Sequence, residues 1–278
     1  MLKHDYLPEA FETFGSTKER RKKIRKAVLA LDNKVKMEKK CSIDNRCHSG
    51  FCPTCLRLLR KKFLRFVQRE ELAKREWYMV TVFVEGWTKP AGDFEPFGEL
   101  KNNPIIKKFL KQLRKVGQPD MLLFGSIETV FKVRDNKPIG KPFHLHMLIS
   151  GASKEQIRVS VRKTIPRPTI GVPLRIDHVQ QTAKDLVRSS SYILKQTFWL
   201  RSESKKGFKK LESPKPQQLA ELLSNLGTHQ WGDRFFYIGI RFCYGKFSIT
   251  PNVKSMFTKK TNNKSHKSHT PLPKTPKK

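Results

Sequence analysis

His144-Leu145-His146 places two imidazoles one residue apart inside the apolar run Phe143 to Ile149. On a β-strand, residues i and i+2 project from the same face, so the two rings can share one cation. Glu128 lies on an earlier apolar run, Met121–Val133, which a hairpin would lay beside the histidine strand. A cross-strand neighbour can bring its carboxylate to the same cation. Two histidines and one carboxylate leave coordination positions open, as a catalytic metal requires. The same ligand set is the facial triad of non-haem iron oxygenases. The face of Glu128 stays open at this level, because Ile127 and Val130 are apolar while Thr129 is not. The plain alternative is a pair of half-buried histidines that only hydrogen-bond.

Tyr192 and Lys195 are three residues apart in a helix-like segment and would share its face. A phenol can attack a phosphodiester when a metal polarises the phosphate. An ammonium beside it would stabilise the phosphoryl charge. Taken alone, a tyrosine on a basic helix is ordinary core packing.

A third cluster is Cys41-x5-Cys47-x4-Cys52-Pro53-Thr54-Cys55. Four thiolates this close complete a tetrahedral zinc site, with Cys52 and Cys55 as the usual knuckle half and His48 as a substitute ligand. Cys-Pro-x-Cys also occurs at thiol-disulfide centres. Those centres place the first cysteine at a helix start after a strand, and no strand is expected here. The basic stretch Arg57, Arg60, Lys61, Lys62 and Arg65 follows the knuckle as a candidate DNA-binding helix, or else as a solvated face. Cys243, isolated in an apolar run, reads as a core residue.

The chain has 278 residues and carries 58 Lys+Arg against 24 Asp+Glu, a net charge of +34. Basic side chains gain free energy by releasing counterions from phosphates, so a polyanion is the expected partner. No run of 18 apolar residues spans a membrane, and the first residues lack the apolar core of a signal peptide. A cytoplasmic location, in a bacterial or phage-infected cell, is expected. No Gly-x-x-x-x-Gly-Lys-Ser/Thr is present, so a helicase would be a separate host protein.

Periodicity predicts the elements that position these groups. Helices are expected at Thr17–Lys40, Leu56–Glu76, Pro104–Val116, Ser153–Lys163 (with the Ser153/Gln156 capping box), Gln181–Thr197 and Pro216–Leu226. Strands are expected at Trp77–Val84, Met121–Val133, Phe143–Ser150, Pro173–Val179, Arg234–Cys243 and Lys246–Ile249, with Arg134–Pro142 as a hairpin connection. From Trp77 to Val179 the order is β-α-β-β-α-β. That is the split βαβ, ferredoxin-like arrangement of an α+β domain, an antiparallel sheet with helices on one face. The expected organisation is a basic helical region (1–40), a zinc knuckle with a basic helix (41–76), the sheet domain (77–200) and an extension packed on it (201–253). Residues 254–278 are lysine-rich without an acid, and disorder is expected there.

The strand Tyr78-Met-Val-Thr-Val-Phe-Val, then Glu128 ahead of Pro142-Phe-His-Leu-His-Met-Leu-Ile, then Ser191-Tyr-Ile-Leu-Lys-Gln resembles the three ordered motifs of HUH endonucleases. The nearest subgroup is the single-tyrosine rolling-circle replication initiators of plasmids and phages. The resemblance covers about Trp77 to Phe198, and the histidine motif is its clearest part. It implies Mg²⁺ or Mn²⁺ on His144, His146 and Glu128. It implies Tyr192 as the nucleophile that becomes joined to the 5′ end of nicked origin DNA, and Lys195 as the basic residue one turn later. Host helicase and polymerase would act downstream. Transposases of that superfamily share these parts. The competing class is a non-catalytic zinc-knuckle protein that binds nucleic acid through its sheet.

Overall fold

The β-branched and aromatic run that opens at Trp77 becomes an inner strand of an antiparallel sheet. The computed structural model describes residues 14–29, 41, 46–47, 52–94, 102–135, 137–166, 174–180, 182–194, 200–203, 209–226, 234–243 and 245–253. In chain order the elements are α1 (Phe14–Leu29), α2 (Pro53–Val67), α3 (Glu70–Ala73), β1 (Trp77–Lys89), α4 (Pro104–Val116), β2 (Leu122–Thr129), β3 (Phe131–Arg134) and β4 (Lys137–Ser150). They continue with α5 (Lys154–Thr164), β5 (Leu174–Val179), α6 (Ala183–Ile193), β6 (Leu200–Glu203), β7 (Lys209–Glu212), α7 (Pro216–Leu226), β8 (Phe235–Ile238), β9 (Ile240–Cys243) and β10 (Lys246–Ile249). The protein is mixed α+β.

Strands β5, β1, β4, β2 and β8 lie side by side in that order, and every neighbouring pair is antiparallel. Side chains alternate across this sheet and divide it into two faces. Leu145, Met147 and Ile149 of β4, with Val80, Val82, Leu123 and Ile127, pack under Ile106, Phe109 and Leu113 of α4 and Ile157 and Val161 of α5. Leu148, Leu122 and Phe124 face the other way, onto Leu59, Phe63 and Val67 of α2 and Leu186, Val187 and Ile193 of α6. Helices therefore cover both faces, where one was expected. The apolar side of α2 already signalled a second layer, since Leu59, Phe63 and Phe66 are buried and need a sheet beneath them.

Local chemistry fixes several ends. The Asn103 side chain accepts from the backbone N–H of Ile105 and Ile106, and Pro104 opens α4. The Ser153/Gln156 capping box forms at α5. Other boundaries move. The helix expected over 56–76 ends at Val67, Arg69 is extended, and a one-turn α3 follows. The strand expected over 121–133 breaks at Val130 into β2 and β3. The expected connection 134–142 is mostly strand: β4 starts at Lys137, after a turn with Asp135 at φ 47°. Its Pro138 and Gly140 look like turn residues, yet the strand continues through them opposite β3. At Gly239, φ is +68° and a Cβ would lie 2.5 Å from the Met121 carbonyl oxygen, so the expected strand 234–243 becomes β8 and β9.

Cys243 is exposed on β9 rather than in the core, because its neighbours Phe242 and Ile240 turn the opposite way. Helix α1 bears out the described part of the helix expected over 17–40; residues 30–40 lie outside the described ones, as do 1–13 and the lysine-rich 254–278. Its Ile24, Ala27 and Val28 pack on Leu219, Ala220 and Leu223 of α7. No described helix is long and apolar enough to cross a membrane.

Candidate metal and nucleophile site

Antiparallel register sets the site. Across β4, His144 sits opposite Glu128 of β2 and Phe83 of β1, while His146 sits opposite Ser126 and Thr81. Ile127 points to the α4/α5 face, so Glu128 points with the histidines to the α2/α6 face. That assigns the face the sequence left open. Oε2 of Glu128 lies 2.6 Å from Nε2 of His146 and 3.4 Å from Nε2 of His144. The three residues can hold one metal ion, their ligand atoms all lying within 4.8 Å of one another.

Both imidazoles are buried. The Nε2 of His146 has no aligned hydrogen-bond partner despite its approach to Glu128. That combination fits a cation: buried polar atoms are normally satisfied, and these converge on a common point. Burial opposes ionisation of Glu128, but the facing imidazoles of His144 and His146 outweigh it and hold the carboxyl down at about 2. Burial pushes His146 down, against the pull of Glu128. An ionised carboxylate beside a neutral imidazole is the protonation state a divalent cation needs.

Residues around this set orient it. The Thr81 hydroxyl lies 2.9 Å from Nδ1 of His146, which leaves Nε2 for the cation. Phe83 stacks on His144 with ring centroids 4.9 Å apart. Arg234 reaches the Ile127 carbonyl at 3.5 Å; burial draws its pKa down to about 10 and the charge of Glu128 pulls it back up.

Tyr192 stands at the C-terminal end of α6, 46% exposed, with its ring edge-on to His146 at 5.1 Å. Burial and the charge of Glu128 raise its pKa, and Arg175 lowers it. Hydrogen bonds on both neighbours bracket the tyrosine. The buried Arg60 of α2 donates to Oγ of Ser191, from Nε at 2.9 Å and from Nη2 at closer range. Ser126, the register partner of His146, donates to the Ile193 carbonyl at 2.8 Å. Lys195 lies outside the described residues.

The second cluster brings Cys41, Cys47, Cys52 and Cys55 together, their sulfurs also within 4.8 Å of one another, so that they too can hold a metal ion. Sγ of Cys55 is 3.5 Å from that of Cys41 and 3.8 Å from that of Cys47, and none of the four is in a disulfide. Pro53 opens α2, so the Cys52–Cys55 pair is its first turn. Nη1 of Arg21 donates to Sγ of Cys52 at 2.7 Å, tying α1 to the cluster. Cys47 and burial push Cys55 up, and Cys52 rises to about 11. Thiols this crowded resist joint ionisation until a cation offsets their charge. His48 lies outside the described residues.

Of the basic residues expected to bind DNA, Arg65 is exposed and Arg57, Lys61 and Lys62 are half-buried on α2. Arg60 is buried and turned inward to Ser191, so it holds α6 rather than the surface. The positioning contacts of Thr81, Ser126, Ser191 and Arg60 were not foreseen from the sequence, which gave Arg60 as a DNA contact. Thr81 alone carried a signal there, as the one polar side chain in Trp77–Val84. No protein-family model, no curated protein and no solved structure matches the chain.

Proposed function

We propose that the chain is a metal-dependent single-stranded DNA endonuclease and strand transferase, a replication initiator similar to the HUH single-tyrosine proteins. The observation that carries the reading is the approach of one half-exposed tyrosine to a Glu/His/His set. The strand order β5-β1-β4-β2 suits a ferredoxin-like split βαβ core, and the +34 charge suits a nucleic acid substrate. Glu128, His144 and His146 would hold Mg²⁺ or Mn²⁺, and the four cysteines a structural Zn²⁺. The bound divalent ion would polarise the scissile phosphate and offset the charge of Glu128.

The chain's own residues would do the rest. Thr81 holds the His146 ring in the tautomer that presents Nε2. Arg60 and Ser126 fix α6 on either side of Tyr192, which would hold the phenol beside His146 and limit its conformational search. The Tyr192 oxygen attacks phosphorus, a Tyr–O–P bond forms, and the P–O3′ bond breaks to release a 3′-hydroxyl. The phenolic proton leaves to solvent, which the half-exposed position allows, and the departing 3′ oxygen takes a proton from solvent to become the hydroxyl. The 3′-hydroxyl primes a host polymerase, and the phosphotyrosine link keeps the phosphodiester energy for rejoining.

The test is incubation of wild-type, Tyr192→Phe and His146→Ala protein with single-stranded origin-region DNA and Mn²⁺, followed by denaturing electrophoresis. A covalent protein–DNA adduct is expected for wild type alone. An adduct that persists in Tyr192→Phe removes Tyr192 as the nucleophile.

A further inference from the structure

A pocket of about 220 Å³ opens where β1, β5 and α5 meet. It lies below the roughly 300–1,000 Å³ of drug-sized sites, so it suits one planar ring system rather than a whole cofactor. Val82, Val161 and Leu174 give it an apolar floor, Phe83 adds an aromatic wall, and Arg158 and Arg162 stand beside it. The two arginines are four residues apart on α5 and therefore share a face. Arg158 is paired with Glu155 in the same turn, while Arg162 stands exposed. An apolar floor, a ring and guanidinium planes are what an unpaired base stacks on, and the guanidinium charge suits its phosphate.

The pocket opens on the α4/α5 side of the sheet, opposite the side that carries Tyr192, and Phe83 is the residue it shares with the site. Phe83 lines it and also stacks on His144. β5 is the edge strand of the sheet, so among the described residues no further strand walls off the way round. Arg175, the register partner of Thr81, stands on the Tyr192 face of that edge, and its charge acts on the phenol. A backbone passing Tyr192 would meet Arg175, then Arg162, with its base directed into the pocket.

The geometry points to a binding site for one unpaired nucleobase, belonging to a nucleotide that flanks the reacting phosphate. The inference rests on the nuclease reading and deepens it: the pocket makes single-stranded DNA the preferred substrate, since a paired base cannot enter.

The probe is a degenerate single-stranded 20-mer pool with 5-iodouracil in place of thymine, used at constant salt beside its duplex form. Wild type, Leu174→Trp (which fills the pocket) and Arg158→Ala/Arg162→Ala are compared, with thermal melting to confirm that each folds. Irradiated wild type is expected to cross-link on the tryptic peptide Glu76–Lys101 (the Lys89–Pro90 bond resists trypsin), which carries Phe83, and Leu174→Trp is expected to lose that cross-link. Both variants should bind the single strand about tenfold more weakly and the duplex within about twofold of wild type. Cross-links confined to other peptides, or variants that bind the single strand as wild type does, overturn the pocket. If wild type forms its Tyr192 adduct while the pocket variants behave normally, the pocket alone falls. If wild type neither binds the strand nor forms an adduct, the nuclease reading falls and takes the pocket with it.

Discussion

Ser191→Ala deletes one oxygen and tests how the tyrosine helix is held. That oxygen accepts two donors from Arg60, a side chain only 8% exposed. Hydrogen bonds to a charged donor contribute roughly 1.5–3 kcal/mol, because the charge was desolvated to make them. Arg60 sits within that regime, so about 2 kcal/mol of stability should disappear. For a chain of this size that is a fall in Tm of roughly 4–8 °C. The functional effect should exceed the stability effect. Ser191 precedes Tyr192, and its loss frees the α2 side of α6 while Ser126 still holds the other side through Ile193. At a temperature where both proteins are folded, adduct formation at saturating DNA should slow by about tenfold or more, since small misplacements of a reacting group cost that much. Arg60→Lys should behave like Ser191→Ala, because an ammonium cannot present two donors in a fixed fork. Differential scanning fluorimetry and a timed adduct assay read the two effects. A Ser191→Ala protein that melts within 1 °C of wild type would refute the reasoning, whatever its activity.

Thr81→Val keeps the shape of the side chain and removes the partner of His146 Nδ1; Mn²⁺ affinity by calorimetry should fall about 10–100-fold, and an unchanged affinity rejects the orienting role. Purified wild-type protein should carry zinc on the cysteine cluster, and Cys55→Ser should lose it together with far-UV helical signal from α2, read by elemental analysis and circular dichroism. The metal-free protein should be acid-labile. Glu128 is held at about 2 against 4.5 when free, so its stabilisation is complete above pH 4.5 and is lost as pH falls toward 2. At about 1.36 kcal/mol per pH unit this is roughly 3 kcal/mol. The depressed His146 acts in the same direction, its contribution declining below pH 6.5. Urea unfolding of wild type and Glu128→Gln from pH 7 to pH 3 checks this, and parallel pH profiles for the two proteins would refute it.

What was legible in the sequence follows a physical division. His144 and His146 announce themselves because a strand puts i and i+2 on one face, and that holds whatever packs around it. The cap of α5 was readable for the same reason: Ser153 and Gln156 act within four residues of each other. Glu128 needed a register, and register is a property of two strands. A shift of one residue in the β2–β4 pairing would have turned Thr129 toward the histidines instead. Pro138 and Gly140 misled at this point, since they carry turn chemistry inside what is a continuous β4. Arg60 was harder still. On α2 it belongs to a row of cations, and composition gives each of them the same reading, a DNA contact. Only the packing of α2 across the sheet face from α6, 131 residues later, separates Arg60 from Arg65. The groups that could bind metal were therefore visible as short patterns, while the groups that aim the tyrosine were not. Aiming depends on long-range contacts that no local period encodes. The second helical layer links the two clusters physically. The first turn of α2 carries Cys52 and Cys55, and its second turn carries the guanidinium that holds Ser191. The thiol cluster thus sits at the base of the helix that fixes the tyrosine, and disturbing either end of α2 should be felt at Tyr192.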